Sequence, residues 1–137
     1  MNYFQVKTIK HLLERKDVLL CLASLWTIFV AYMCLANFKS LPKIGMNNPD
    51  KYVHVTFHFV FTVLWFFYLK VKNKNIVSSL VKVVIASVIY GGIIEIVQGL
   101  FTTTRQADIV DILANTIGAI LAVVMILATA KFSNKES

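Results

Sequence analysis

The feature that most constrains this chain is a set of four apolar runs, at about residues 18–38, 52–69, 83–101 and 109–130. A helix rises about 1.5 Å per residue and the hydrocarbon core of a bilayer is about 30 Å thick, so roughly 20 residues make one span. All four runs meet that length, the second near its short end. Composition agrees: 58% of the residues are hydrophobic, 15% are charged and the mean hydropathy is +0.70. A soluble domain carries roughly 25% charged residues, so this chain has too little polar surface for water. Its 137 residues suit one compact domain. The expected fold is all-α, a polytopic membrane protein with a four-transmembrane-helix bundle over residues 18–130. An amphipathic segment at 1–17, with Phe4, Ile9, Leu12 and Leu13, is expected on the cytoplasmic membrane surface, and 131–137 form a cytoplasmic tail. The first run is too long for a signal-peptide core and no A-x-A site follows it, so it reads as a retained helix.

The net charge is +7, but Lys and Arg sit in the gaps between apolar runs rather than decorating a soluble fold. That placement excludes nucleic acid as a partner and reads as anchoring beside a membrane. Ten of the 14 basic residues fall on one side: Lys7, Lys10, Arg15, Lys16, Lys70, Lys72, Lys74, Lys82, Lys131 and Lys135. Lys39, Lys43, Lys51 and Arg105 fall on the other. The positive-inside rule then puts both termini in the cytoplasm and turns the segments at 39–51 and 102–108 outward. Cys21 and Cys34 lie thirteen positions apart on one run, cannot meet, and read as small packing residues.

Four of the seven acids, Asp50, Glu95, Asp108 and Asp111, lie at or inside the outer halves of the last three runs. An Asp at mid-membrane costs about 2.5–3.5 kcal/mol on insertion scales, so such residues call for a partner, a proton or a function. Asp50, His54 and His58 are four apart and share one helix face. Ser87, Gly91, Glu95 and Gln98 share a second face, and Asp108, Asp111, Asn115 and Gly118 a third. Small residues permit close helix approach and polar ones bond across it, so the three stripes are expected to face one another. Helix rise puts Glu95 about 9 Å below Phe101 and Asn115 about 10 Å below Asp108, at one level under the outer surface. Asn48 with Pro49, and Asp108 with Asp111, read as helix starts.

Each of these residues has a functional and a plain reading. Glu95 suits a general acid or proton carrier, or interhelical bonding to Gln98 or His54. His54 suits a proton shuttle or a metal ligand, or a hydrogen bond to Asp50 or Glu95. His58 reads as packing. The pair at i, i+4 lacks the glutamate of an H-E-x-x-H zinc helix, so no metal ligand is assigned. Arg105 fits phosphate or carboxylate bidentately, or a salt bridge to Asp108 or Asp111. Asp50 and Lys51 read equally as a helix start and as part of a site. Gly91, Gly92 and Gly118 read as packing positions, and Trp26, Trp65, Phe66 and Phe67 as lipid-facing or interfacial.

The run N-P-D-K-Y-V-H at 48–54, Y-G-G-I-I-E-I-V-Q at 90–98 and R-Q-A-D-I-V-D-I-L-A-N-T-I-G-A at 105–119 together resemble the VanZ-like family. Its pattern is Asp-Lys…His, an intramembrane Glu…Gln, and Arg…Asp…Asp…Asn…Gly, and the likeness covers roughly residues 48–120. The family is named for an accessory protein of teicoplanin resistance. The resemblance implies a multi-pass protein of the bacterial cytoplasmic membrane acting at the cell envelope, with no agreed reaction or cofactor attached.

Three readings stand at this point. In the first, an outward pocket binds or modifies a lipid or cell-wall-related molecule. Glu95, His54 and Asp111 do the chemistry there, while Arg105, Asp50, Lys51, Gln98, Asp108 and Asn115 bind the ligand. In the second, the chain is a proton-coupled transporter or channel subunit and works as an oligomer. In the third, it is a structural or regulatory subunit whose polar cluster is internal bonding. Membrane lipids are partners in all three, and homo- or hetero-oligomers fit each.

Overall fold

The computed structural model describes residues 15–36, 49–73, 75–101 and 108–133. These form four helices: α1 (Lys16–Leu35), α2 (Pro49–Lys72), α3 (Ile76–Phe101) and α4 (Ile109–Ser133). There are no strands among the described residues. All four helices are long and apolar enough to cross a membrane. The expectations for the N-terminal amphipathic segment up to residue 14, for Asn48 as a cap and for Arg105 lie outside the described residues.

The helix starts follow local chemistry. Asp108 caps α4: its Oδ1 accepts from the Val110 N–H at 2.8 Å, and its own carbonyl accepts from the Asp111 N–H. Asn75 caps α3 in the same way, its Oδ1 accepting from the Ser78 N–H at 3.0 Å. Helices α2 and α3 run past the apolar stretches that announced them, to 24 and 26 residues. The extra turns hold Lys70 and Lys72 at the end of α2, where cations offset the helix dipole, and the Asn75 cap with Lys82 at the start of α3.

Packing sorts the bundle into a polar end and an apolar end. The broadest interface joins α2 and α4, while α1 lies against α2 and α3. Phe66, Leu80, Val83 and Ile126 form the core at the end where α2 finishes and α3 begins. Val30, Cys34 and Ile94 form a second core under α1, flanked by Trp26, Phe57 and Tyr90. Between 22% and 33% of each span is buried by the chain itself, so most of every helix faces outward, toward lipid or another chain.

Several aromatic residues depart from expectation. Phe66 is only 2% exposed, a core residue rather than a lipid-facing one. Trp26 and Trp65 are half-buried ties between α1 and α2: Trp26 Nε1 donates to the Phe57 carbonyl, and Trp65 Nε1 to Thr27 Oγ1, each at 3.1 Å. The Tyr90 hydroxyl donates to the Thr27 carbonyl, and its ring stacks on Phe61. Indole and phenol groups placed inside an apolar bundle need such acceptors, which draws them inward.

The glycines divide in the same way. A Cβ on Gly118 would overlap the Val55 carbonyl of α2, so the closest approach of α2 and α4 depends on that glycine. A Cβ on Gly91 would lie 2.6 Å from Asn115 Nδ2 and 3.0 Å from the His58 ring. Gly92, in contrast, is no packing position: a Cβ there meets nothing within 4 Å. Gly118→Ala is therefore expected to lower stability by about 1–3 kcal/mol, the usual cost of overpacking. Gly92→Ala should keep or raise it, since alanine is the better helix former. Melting temperatures of the two variants in detergent check both statements.

Candidate functional site

The three polar stripes meet at the end of the bundle where α2 and α4 begin and α3 finishes. His54 and His58 of α2, Ser87, Glu95 and Gln98 of α3, and Asn115 of α4 are all buried, at 2% exposure or less. His54 Nδ1 lies 3.1 Å from Asn115 Oδ1. Its Nε2 lies 3.7 Å from Asp111 Oδ2. These contacts join His54 to Asn115 and Asp111 of α4, and Glu95 lies beside them. His54, Glu95 and Asp111, one from each helix, bring ligand-type atoms within 4.8 Å of one another.

The rim of this cluster is charged. Lys51 Nζ bridges the two aspartates of α4, at 3.3 Å from both Asp108 Oδ2 and Asp111 Oδ1. Among the described residues, Lys51 fills the ion-pairing place that the sequence reading gave to Arg105. The first turn of α2 supplies this lysine one helical turn before His54, so one face delivers both groups to α4. The Asp108 carboxyl is held below the usual carboxylate range, first by the Val110 N–H and then by the Lys51 ammonium. Asp50, on the same turn, is exposed.

Glu95 stands beneath the rim. Its Oε2 accepts from the Asp108 backbone N–H at 3.1 Å, tying α3 to the start of α4. Its Oε1 is buried with no hydrogen-bond partner among the described residues, and so is Asn115 Nδ2. The neighbouring polar residues have packing ties. Gln98 Nε2 donates to the Cys34 carbonyl of α1 at 2.6 Å. His58 Nδ1 pairs with Ser87 Oγ at 2.8 Å, in keeping with a packing role. What the sequence reading missed is the place of Lys51 between two aspartates. Its spacing from His54 carried the signal, since residues three and four apart share a face.

These contacts fix two expectations. Lys51→Met leaves Asp108 and Asp111 facing each other without their cation, and should lower the melting temperature more than Lys70→Met at the opposite end of α2. Folding lowers the Asp108 pKa, so its ionised form stabilises the fold at neutral pH and that contribution is lost on acidification. The melting temperature should fall as the pH drops below about 4, and less steeply in Asp108→Asn. Melting curves across that range read both effects.

The arrangement can hold a proton, a cation or the polar part of a ligand at one end of an otherwise apolar bundle. No curated protein and no solved structure matches the chain. The model of a family described as VanZ/LLP1 matches residues 12–130, which take in the cluster and its three motifs. With a match over that much of its length and four membrane-length helices, the chain belongs to the VanZ/LLP1 family and is a multi-pass membrane protein.

Proposed function

We propose that this protein works in the cytoplasmic membrane of a bacterium, with both termini inside, and binds a lipid or cell-wall-related molecule at the outward, polar end of its bundle. The excess of Lys and Arg in the other segments supports the orientation. The observation that carries the reading is a groove of about 270 Å³ between α2 and α4 that opens beside the cluster. Lys51 and Tyr52 stand at its polar end, and Val55, Val110, Leu113, Ala114 and Ile117 line the rest. A charged group next to an apolar trough matches a molecule with an anionic head and a hydrocarbon chain. In this reading Arg105, three residues before Asp108, holds the anionic group. Glu95, with His54 or Asp111, handles a proton there.

One observation favours a purely structural reading: Lys51, Asp108, Asp111 and Glu95 satisfy part of one another's bonding. The two readings separate on ligand binding. Thermal shifts of the purified protein with phosphatidylglycerol and with phosphatidylcholine should differ, the anionic lipid giving the larger shift. Arg105→Ala should weaken that binding by about tenfold, the loss of one charge-assisted contact. Ile117→Trp, which fills the groove, should abolish it. Equal shifts from both lipids, or binding that survives the filled groove, would leave the structural reading. The teicoplanin link carried by the family name is checked by expressing the chain in a susceptible bacterium and reading the inhibitory concentration.

A further inference from the structure

We propose that His54, Glu95 and Asp111 bind a divalent first-row metal ion, such as Mn²⁺ or Zn²⁺, at the polar end of the bundle. The inference deepens the ligand-binding reading above and rests on it only for its biological purpose. The geometry stands by itself.

In each of the three residues, one polar atom is committed to a positioning contact and another is left over. His54 Nδ1 meets Asn115 Oδ1 at 3.1 Å. An amide oxygen accepts, so the neutral ring that donates through Nδ1 presents its Nε2 lone pair toward Asp111 Oδ2, 3.7 Å away. Asp111 Oδ1 is taken by Lys51, which leaves Oδ2 for this side. Glu95 Oε2 is taken by the Asp108 N–H, and Oε1 is buried without a partner among the described residues, in a side chain of a residue 1% exposed. A histidine whose other ring nitrogen is anchored on a carbonyl, beside carboxylates held by outer contacts, is the usual supporting shell of a metal site.

Distances and charge agree. Metal–ligand bonds of about 2.0–2.2 Å put two ligands of one ion about 3–4 Å apart. The His54–Asp111 separation already falls in that range, and the outer limit of 4.8 Å within the trio closes with small side-chain rotations. One imidazole nitrogen with two carboxylate oxygens suits Mn²⁺ or Zn²⁺ better than ions that take oxygen alone. Among the described residues of the cluster, ionised Glu95, Asp108 and Asp111 outweigh the one charge of Lys51, and a divalent cation offsets that excess. Three protein ligands leave coordination positions open for an outside oxygen.

The test uses Mn²⁺ alone, with no lipid, on the full-length protein purified in detergent and stripped with a chelator. Electron paramagnetic resonance should show about one Mn²⁺ bound per chain, and spin-echo spectra should show coupling to an imidazole nitrogen. Glu95→Gln and Asp111→Asn should each weaken binding, and Asn115→Ala should cost about 10–100-fold through loss of the His54 anchor. His54→Gln should remove the nitrogen coupling, and Asp17→Asn in α1 should change nothing. Binding well below one ion per chain overturns the proposal. So does bound Mn²⁺ without nitrogen coupling, or affinity unchanged by both carboxylate substitutions. The first two outcomes are read on the wild type, so a variant that fails to fold does not protect the idea. A metal failure leaves lipid binding standing, and a lipid failure leaves the metal site standing.

Discussion

Helices α2 and α4 come as close as they do because position 118 has no side chain, and the polar end of the molecule depends on that contact. With the Val55 carbonyl against Gly118, the preceding residue, His54, reaches Asn115 and Asp111. One turn nearer the rim, Lys51 reaches Asp108 and Asp111. Separate the two helices by the width of a methyl group and these distances open together. The glycine is therefore as much a part of the site as the groups that carry its chemistry. It works by setting a distance, whereas His54, Glu95 and Asp111 work by offering atoms.

Burying those atoms is costly. Charged groups taken from water lose several kcal/mol of hydration each, and mutual attraction recovers this only when geometry is good and every lone pair is used. Here the rim is well served, with Lys51 shared by two aspartates and Asp108 capping its own helix. The layer below is not, because Glu95 Oε1 and Asn115 Nδ2 lack partners among the described residues. Stability alone would favour apolar residues at such positions. Their presence there is the physical basis for the proposal that the cluster holds a ligand.

Much of the architecture was legible in the sequence. Four runs near membrane length announced the four helices, and the 3.6-residue period was enough to group Ser87, Gly91, Glu95 and Gln98 on one face, all of them buried. The same period with a rise per residue put Glu95 and Asn115 at one depth. What stayed hidden was which stripe residue meets which. Partner choice depends on the rotation of α2 about its axis, and that is set by a contact between Gly118 and a backbone carbonyl, not by spacing within either helix. Hence spacing alone did not announce that Asn115 meets His54, or that Lys51 sits on the aspartates. The inward place of Phe66 was hidden for another reason. In a helix apolar on every side, hydrophobicity does not say which side faces the protein, and only interhelical shape decides.

The polarity of the bundle is one-sided. From the rim, polar layers descend through Glu95, His54 and Asn115 to the His58–Ser87 pair, and then Phe66, Leu80, Val83 and Ile126 close the interior. Many membranes store energy as a voltage and an ion gradient between their two sides. Any continuous wet path through a single copy would discharge that store. Among the described residues, the Phe66–Leu80–Val83–Ile126 layer interposes hydrocarbon between the polar cluster and the far end of the bundle, so that layer opposes such a path.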